Sequence, residues 1–171
     1  VTANGKTMPT QFTPLATWSK GGDDIRWLLV DFQVDAATAR QTEYRLVFGE
    51  ESVPAVASPK PIKKRNGDRL EIDTSAARFI LRDRGDFVIE SVQVGERVLV
   101  DPDRPITLLV TDHRGKTFKA SGDANPDGAV IEDEGPCRLG LKSSGWYFNE
   151  EGEKFCRHET RLEFFAGSSL V

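Results

Sequence analysis

Short runs of alternating apolar and polar residues, each closed by a turn dipeptide, recur along the whole chain and constrain its fold more than any other feature. Such runs cover 25–34, 43–49, 69–74, 77–81, 87–94, 97–100, 106–112, 117–120, 130–132, 138–142 and 157–165. A period of two sends successive side chains to opposite faces of a strand. No sustained helical period competes with it, and the one helical candidate is a brief turn over 36–41. Between the runs stand Gly21-Gly22, Asn66-Gly67, Gly95-Glu96, Arg114-Gly115 and Asp127-Gly128, which supply residues that accept a positive φ. Parallel pairing needs crossovers of roughly a dozen residues or more, for which this spacing leaves no room. The expectation is an all-β, antiparallel barrel or sandwich with at most one short helix.

A chain of 171 residues fits one domain, 1–171, with no internal boundary or repeat. Pro54, Pro59 and Pro61 exclude 53–61 from a central strand, because proline lacks the ladder donor, and make it an edge or crossing segment. A net charge of −4 gives no global attraction to phosphate backbones or anionic membranes. The one basic run, Lys60-Pro61-Ile62-Lys63-Lys64-Arg65, reads as a solvated strand or loop before the Asn66-Gly67 turn, so nucleic acid is not an expected partner. No run of 18 apolar residues is present, so no spanning helix is expected.

Cys137 and Cys156 are the only cysteines, and their spacing matches no zinc motif. Both lie on or beside strands of one prospective hairpin. A disulfide between them is a candidate if the register aligns them, and two independent thiols are the alternative. Asp123, Asn125 and Asp127 head a stretch, ending at Glu134, that matches the D-x-[DN]-x-[DN]-G-x5-E calcium-loop pattern. Calcium is therefore the one candidate cofactor. The competing reading is an acidic hairpin loop, since a strand precedes the motif and Gly135-Pro136 stops any exiting helix.

No catalytic residue is assigned. Asp23, Asp24, Asp101 and Asp103 flank turns, and acids there usually form the turn itself. His113 adjoins the Arg114-Gly115 turn, and His158 alternates with Arg157 and Glu159 on a strand, with no nucleophile motif near either. Trp27 reads as core. Trp146, Tyr147 and Phe148 are consecutive and cannot all point inward from a strand, which makes them the candidate ligand contact, a platform for stacking sugars. Arg26 and Arg138 stand on apolar strands, where each needs a carboxylate such as Asp31 or Glu132 to offset desolvation.

Three segments carry a family likeness: Trp18-Ser-Lys-Gly-Gly-Asp-Asp-Ile-Arg-Trp27-Leu-Leu-Val-Asp-Phe32, Ile131-Glu-Asp-Glu-Gly-Pro-Cys-Arg138 and Arg161-Leu-Glu-Phe-Phe-Ala-Gly167. In this order they resemble the N-terminal RIFT-barrel domain of exo-rhamnogalacturonan lyase-like proteins, over nearly the whole chain. Gly21-Gly22-Asp23-Asp24, Thr74-Ser75 and Phe165 depart from that family's pattern of D-G-S, T-G and Tyr. The resemblance implies an exported, non-catalytic accessory β domain that lies ahead of a larger catalytic region. Its implied partners are a pectic or other polysaccharide, or a neighbouring domain or subunit. The alternative is a structural module in a multi-chain assembly, such as a virion or secreted complex.

Overall fold

A computed structural model describes residues 1–49, 60–123, 125 and 127–171. Its strands are β1 (Thr2–Ala3), β2 (Lys6–Thr7), β3 (Thr10–Thr17), β4 (Ile25–Phe32), β5 (Tyr44–Arg45), β6 (Ile62–Asn66), β7 (Arg69–Asp73) and β8 (Arg78–Arg82). They continue with β9 (Val88–Val94), β10 (Arg97–Val100), β11 (Ile106–Thr107), β12 (Leu109–Thr111), β13 (Thr117–Ala120), β14 (Val130–Glu134), β15 (Arg138–Phe148) and β16 (Lys154–Phe165). Among the described residues every ladder is antiparallel, and the one helical element is a 3₁₀ turn at Ala39–Gln41. The fold is all-β and antiparallel, as the alternation and turn residues require. Of the expected edge segment 53–61, residues 53–59 lie outside the described residues.

The chain divides into two compact units, Val1–Lys60 with Gly135–Cys137, and Pro61–Glu134 with Arg138–Val171. The first holds a three-stranded sheet, β2-β1-β5, and a two-stranded ribbon, β3-β4. β3 escapes sequence reading because Pro14 interrupts it; a two-stranded ribbon has only edge strands, where proline is tolerated, and the register shifts beside it. Trp27 is not core. It stands 62% exposed on β4, beside Trp18 at 71% and Leu15 at 61%. Trp27-Leu28-Leu29-Val30 are consecutive apolar residues, so both faces of the ribbon are apolar, and nothing within a two-stranded sheet covers both. Arg26 stays at the surface and needs no carboxylate, since its guanidinium lies 4.8 Å over the Trp18 ring. Gly135 is packed so closely on Gln11 that a Cβ there would come within 2.4 Å of that side chain, and the Cys137 N–H donates to Gln11 Oε1 at 3.2 Å.

The second unit buries the core. One sheet runs β10-β9-β8-β7-β6 with β11 also on β9, and the other runs β12-β13-β15-β14 with β16 on β15. Their inner faces meet through Leu70, Ile72, Phe79, Leu81 and Val92 from the first and Leu139, Leu141 and Phe164 from the second. Phe79 and Phe164 form the centre, edge to face at 5.0 Å. An Asp86–Ser121 bridge ties the two sheets, and on another side the Gly167 N–H donates to the Thr74 carbonyl at 2.6 Å. β15 runs through Ser143, Ser144 and Gly145, residues with little strand preference, because β16 pairs with it along nearly its whole length.

Buried charges here are paired. Asp83, 1% exposed, takes both guanidinium nitrogens of Arg65 at 2.8 Å and the Ala129 N–H at 2.7 Å. Arg138 meets Asp133 at 2.6 Å and Glu163 at 2.7 Å, so its guanidinium is paired with carboxylates, as its place on an apolar strand requires.

Candidate functional site

The β15–β16 register decides what the aromatic triplet does. Leu139, Leu141, Ser143 and Gly145 lie opposite Phe164, Leu162, Thr160 and His158 on the core face, which leaves Trp146 and Phe148 on the solvent face. Tyr147 turns inward and sits 5.3 Å from the His158 ring, roughly perpendicular to it. The triplet is thus divided between the two faces of the strand, with all three residues half-buried.

Cations surround the outer pair. Arg157 is opposite Trp146, while Lys154 on β16 and Lys119 on β13 flank Phe148. The Lys154 ammonium lies 5.5 Å from the Trp146 ring and 5.4 Å from the Phe148 ring, and the Arg157 guanidinium lies 5.8 Å from Trp146. Among the described residues no carboxylate pairs with Lys119, Lys154 or Arg157. Farther along the same face, Lys142 and Arg161 are matched by Glu132 and Glu159. The positive end of this face therefore has aromatic rings where the rest has acids.

Beside Phe148 opens a groove of about 570 Å³, bounded by Asp86, Lys116, Thr117, Lys119 and the 149–151 turn. Its rim is rigid. Asn149 Oδ1 accepts the N–H groups of Glu151 and Glu153 at 3.1 and 2.8 Å, and Lys116 Nζ reaches Glu153 at 2.8 Å. That ammonium and the Asn149 amide hold the Glu153 carboxyl below its ordinary range.

The Trp146 backbone is pinned from behind. Ser121 donates its N–H to the Trp146 carbonyl at 3.0 Å, and its hydroxyl contacts the same oxygen at 2.9 Å. A Cβ at Gly145 would lie 2.0 Å from the Ser121 carbonyl oxygen, so only glycine permits this approach. Sequence reading missed Gly145 and Ser121, whose partners lie more than twenty residues away.

The calcium-loop residues do not converge. Asp123 Oδ1 accepts from the Ser121 hydroxyl at 2.5 Å, Asn125 Nδ2 donates to Ser144 at 3.1 Å, and Asp127 offers its backbone carbonyl to Arg84 at 3.1 Å. Among the described residues no group of three or more His, Cys, Asp or Glu is assembled to hold a metal ion. Gly128 and Ala129 turn to Asp83 instead, the Ala129 N–H donating to that carboxylate.

The disulfide is also corrected: both cysteines are free thiols. Arg138, next to Cys137, pairs with Phe165, whereas Arg157, next to Cys156, pairs with Trp146. The sulfurs therefore belong to opposite ends of the hairpin, beyond disulfide reach. Burial pushes the Cys137 thiol upward, and its sulfur lies 3.4 Å from the Asp31 carbonyl oxygen.

Ser121, Asp123 and His158 do come together, but in an order that generates no nucleophile. The Ser121 hydroxyl is committed to Asp123, and His158 Nε2 meets the Ser121 carbonyl oxygen at 2.6 Å. These contacts position Trp146. On the outer face of β15 and β16 stand two ring faces and three cations beside a polar groove. The molecule is defined by this as an all-β antiparallel protein with a cation–aromatic surface. Comparison with known families, curated proteins and solved structures finds no match for the chain.

Proposed function

We propose that the chain is a non-catalytic accessory β domain that holds a carbohydrate for a neighbouring catalytic domain. The observation that carries this reading is the solvent-facing Trp146 and Phe148 pair beside the polar groove. Ring faces stack against the C–H side of a pyranose, and Lys119 and Lys154 supply ammonium groups that bond its hydroxyls and any acid groups. The sequence resemblance to the N-terminal RIFT-barrel domain of exo-rhamnogalacturonan lyase-like proteins points the same way and makes a pectic chain the first ligand to test. Export follows from that resemblance.

Calorimetric titration with rhamnogalacturonan oligosaccharides, followed in ultraviolet absorbance for unsaturated product, tests the proposal. Binding heat without product, abolished by Trp146→Ala at unchanged melting temperature, is expected. Absence of heat with neutral and acidic oligosaccharides alike overturns it.

A second reading, a structural module of a multi-chain assembly, is favoured by the β3-β4 ribbon, where Leu15, Trp18 and Trp27 lie at the surface. On that reading Trp27→Ser abolishes association with the neighbouring protein and leaves oligosaccharide titrations unchanged.

A further inference from the structure

Lys154–Phe165, twelve residues of β16, pairs with β15 on one side only, and among the described residues no strand occupies the other edge. An open row of N–H and C=O groups of this length is a template for another strand. Burial marks the gap. Leu139, Leu141 and Ser143 on β15 are fully buried, yet their cross-strand neighbour Leu162, with Thr160 and His158, is only half-buried on the same core face.

The solvent face of this edge reads Arg157, Glu159, Arg161, Glu163, alternating in sign at every second residue. Reversed, this series is its own complement. We propose that a second copy of the chain occupies the edge, with β16 pairing antiparallel to β16 about a two-fold axis at Thr160. In that register Arg157 faces Glu163 of the other copy and Glu159 faces its Arg161, each twice by symmetry. Half-buried Thr160 and His158 are covered from the side as the two sheets become one.

The same charges exclude the neighbouring registers. A two-residue shift one way sets Glu159 against Glu159 and Arg157 against Arg161; the other way it sets Arg161 against Arg161 and Glu159 against Glu163. A one-residue slip sends the two core faces to opposite sides of the joined sheet. Arg157 has no carboxylate partner within the chain among the described residues. Glu163 already holds Arg138, and Arg161 holds Glu132, but a carboxylate accepts several bonds, so pairing across the axis extends these networks instead of dissolving them. Self-complementarity selects a second copy over an unrelated strand.

Sedimentation equilibrium on the whole chain tests this, with near-ultraviolet circular dichroism as the check on folding. The wild-type chain is expected to dimerise reversibly, and Arg157→Glu or Glu163→Arg each to weaken the dimer by roughly tenfold or more, since two attractive pairs become repulsive. Mixing the two variants restores association as a heterodimer, because Glu at 157 and at 163 in one chain then faces Arg at both positions in the other. If Glu163→Arg fails to fold for want of its Arg138 pair, Glu159→Arg mixed with Arg161→Glu makes the same comparison. A chain that stays monomeric, a dimer indifferent to these substitutions, or variants that do not recover on mixing overturns the proposal.

Discussion

β4 and β8 are both apolar strands, and they meet opposite fates. β8 alternates, so Phe79 and Leu81 enter the core while Arg78 and Arg82 face outward toward Glu71 and its neighbours. β4 is apolar at consecutive positions, pairs among the described residues with β3, and buries none of its residues fully. Hydrophobicity alone therefore does not make a core. A strand is buried when the sheet beneath it presents a facing layer, and only the second unit supplies one.

The largest test of this contrast is truncation of one ring in each strand. Phe79→Ala is expected to cost about 3–5 kcal/mol, seen as a lower urea midpoint at unchanged slope. Trp27→Ala, a larger truncation, is expected to change stability by less than about 0.5 kcal/mol because its ring is already in water. Equal losses would place a hidden facing layer over β4.

Charge sharpens the same comparison. Asp83→Ala leaves the Arg65 guanidinium and the Ala129 N–H without their acceptor and is expected to cost about 3 kcal/mol. Glu43→Gln, which removes the exposed Arg45 pair of the first unit, is expected to leave the melting curve where it is.

Acid should act mainly on the second unit. Arg69, through its hydrogen bonds, holds the Glu90 carboxyl below its ordinary value of 4.5, and Arg161 and then Lys142 do the same to Glu132. A folded carboxyl below its unfolded value binds fewer protons in the native state. The stability it confers is thus complete above about pH 4.5 and is lost as pH falls through the lower folded value. Urea midpoints measured from pH 7 down to 3 should fall, and Glu90→Gln should lower the neutral midpoint while flattening that fall.

The smallest effect concerns the thiols. Cys137 is buried with its thiol pushed upward by desolvation, and Cys156 is only half-buried. A thiol reagent should label Cys156 first and reach Cys137 only on unfolding; equal rates would mean that the Gly135–Cys137 segment opens in the native state.

The sequence by itself determined the strand class, the turns at Gly67, Gly95, Gly115 and Gly128, and the inward side of β7, β8 and β13, though not the exposure of Val130 and Ile131, which read as core. Those follow from a period of two and from positive φ, both local properties of the chain. The division of Trp146 and Phe148 from Tyr147 was half legible, since neighbours on a strand must point apart, but which ring goes inside depended on the β15–β16 register. The separation of Cys137 from Cys156, the turning of Gly128 and Ala129 toward Asp83, and the exposure of Trp27 were decided only by the tertiary structure. Each depends on what packs against a segment from distant sequence, and no local pattern records that.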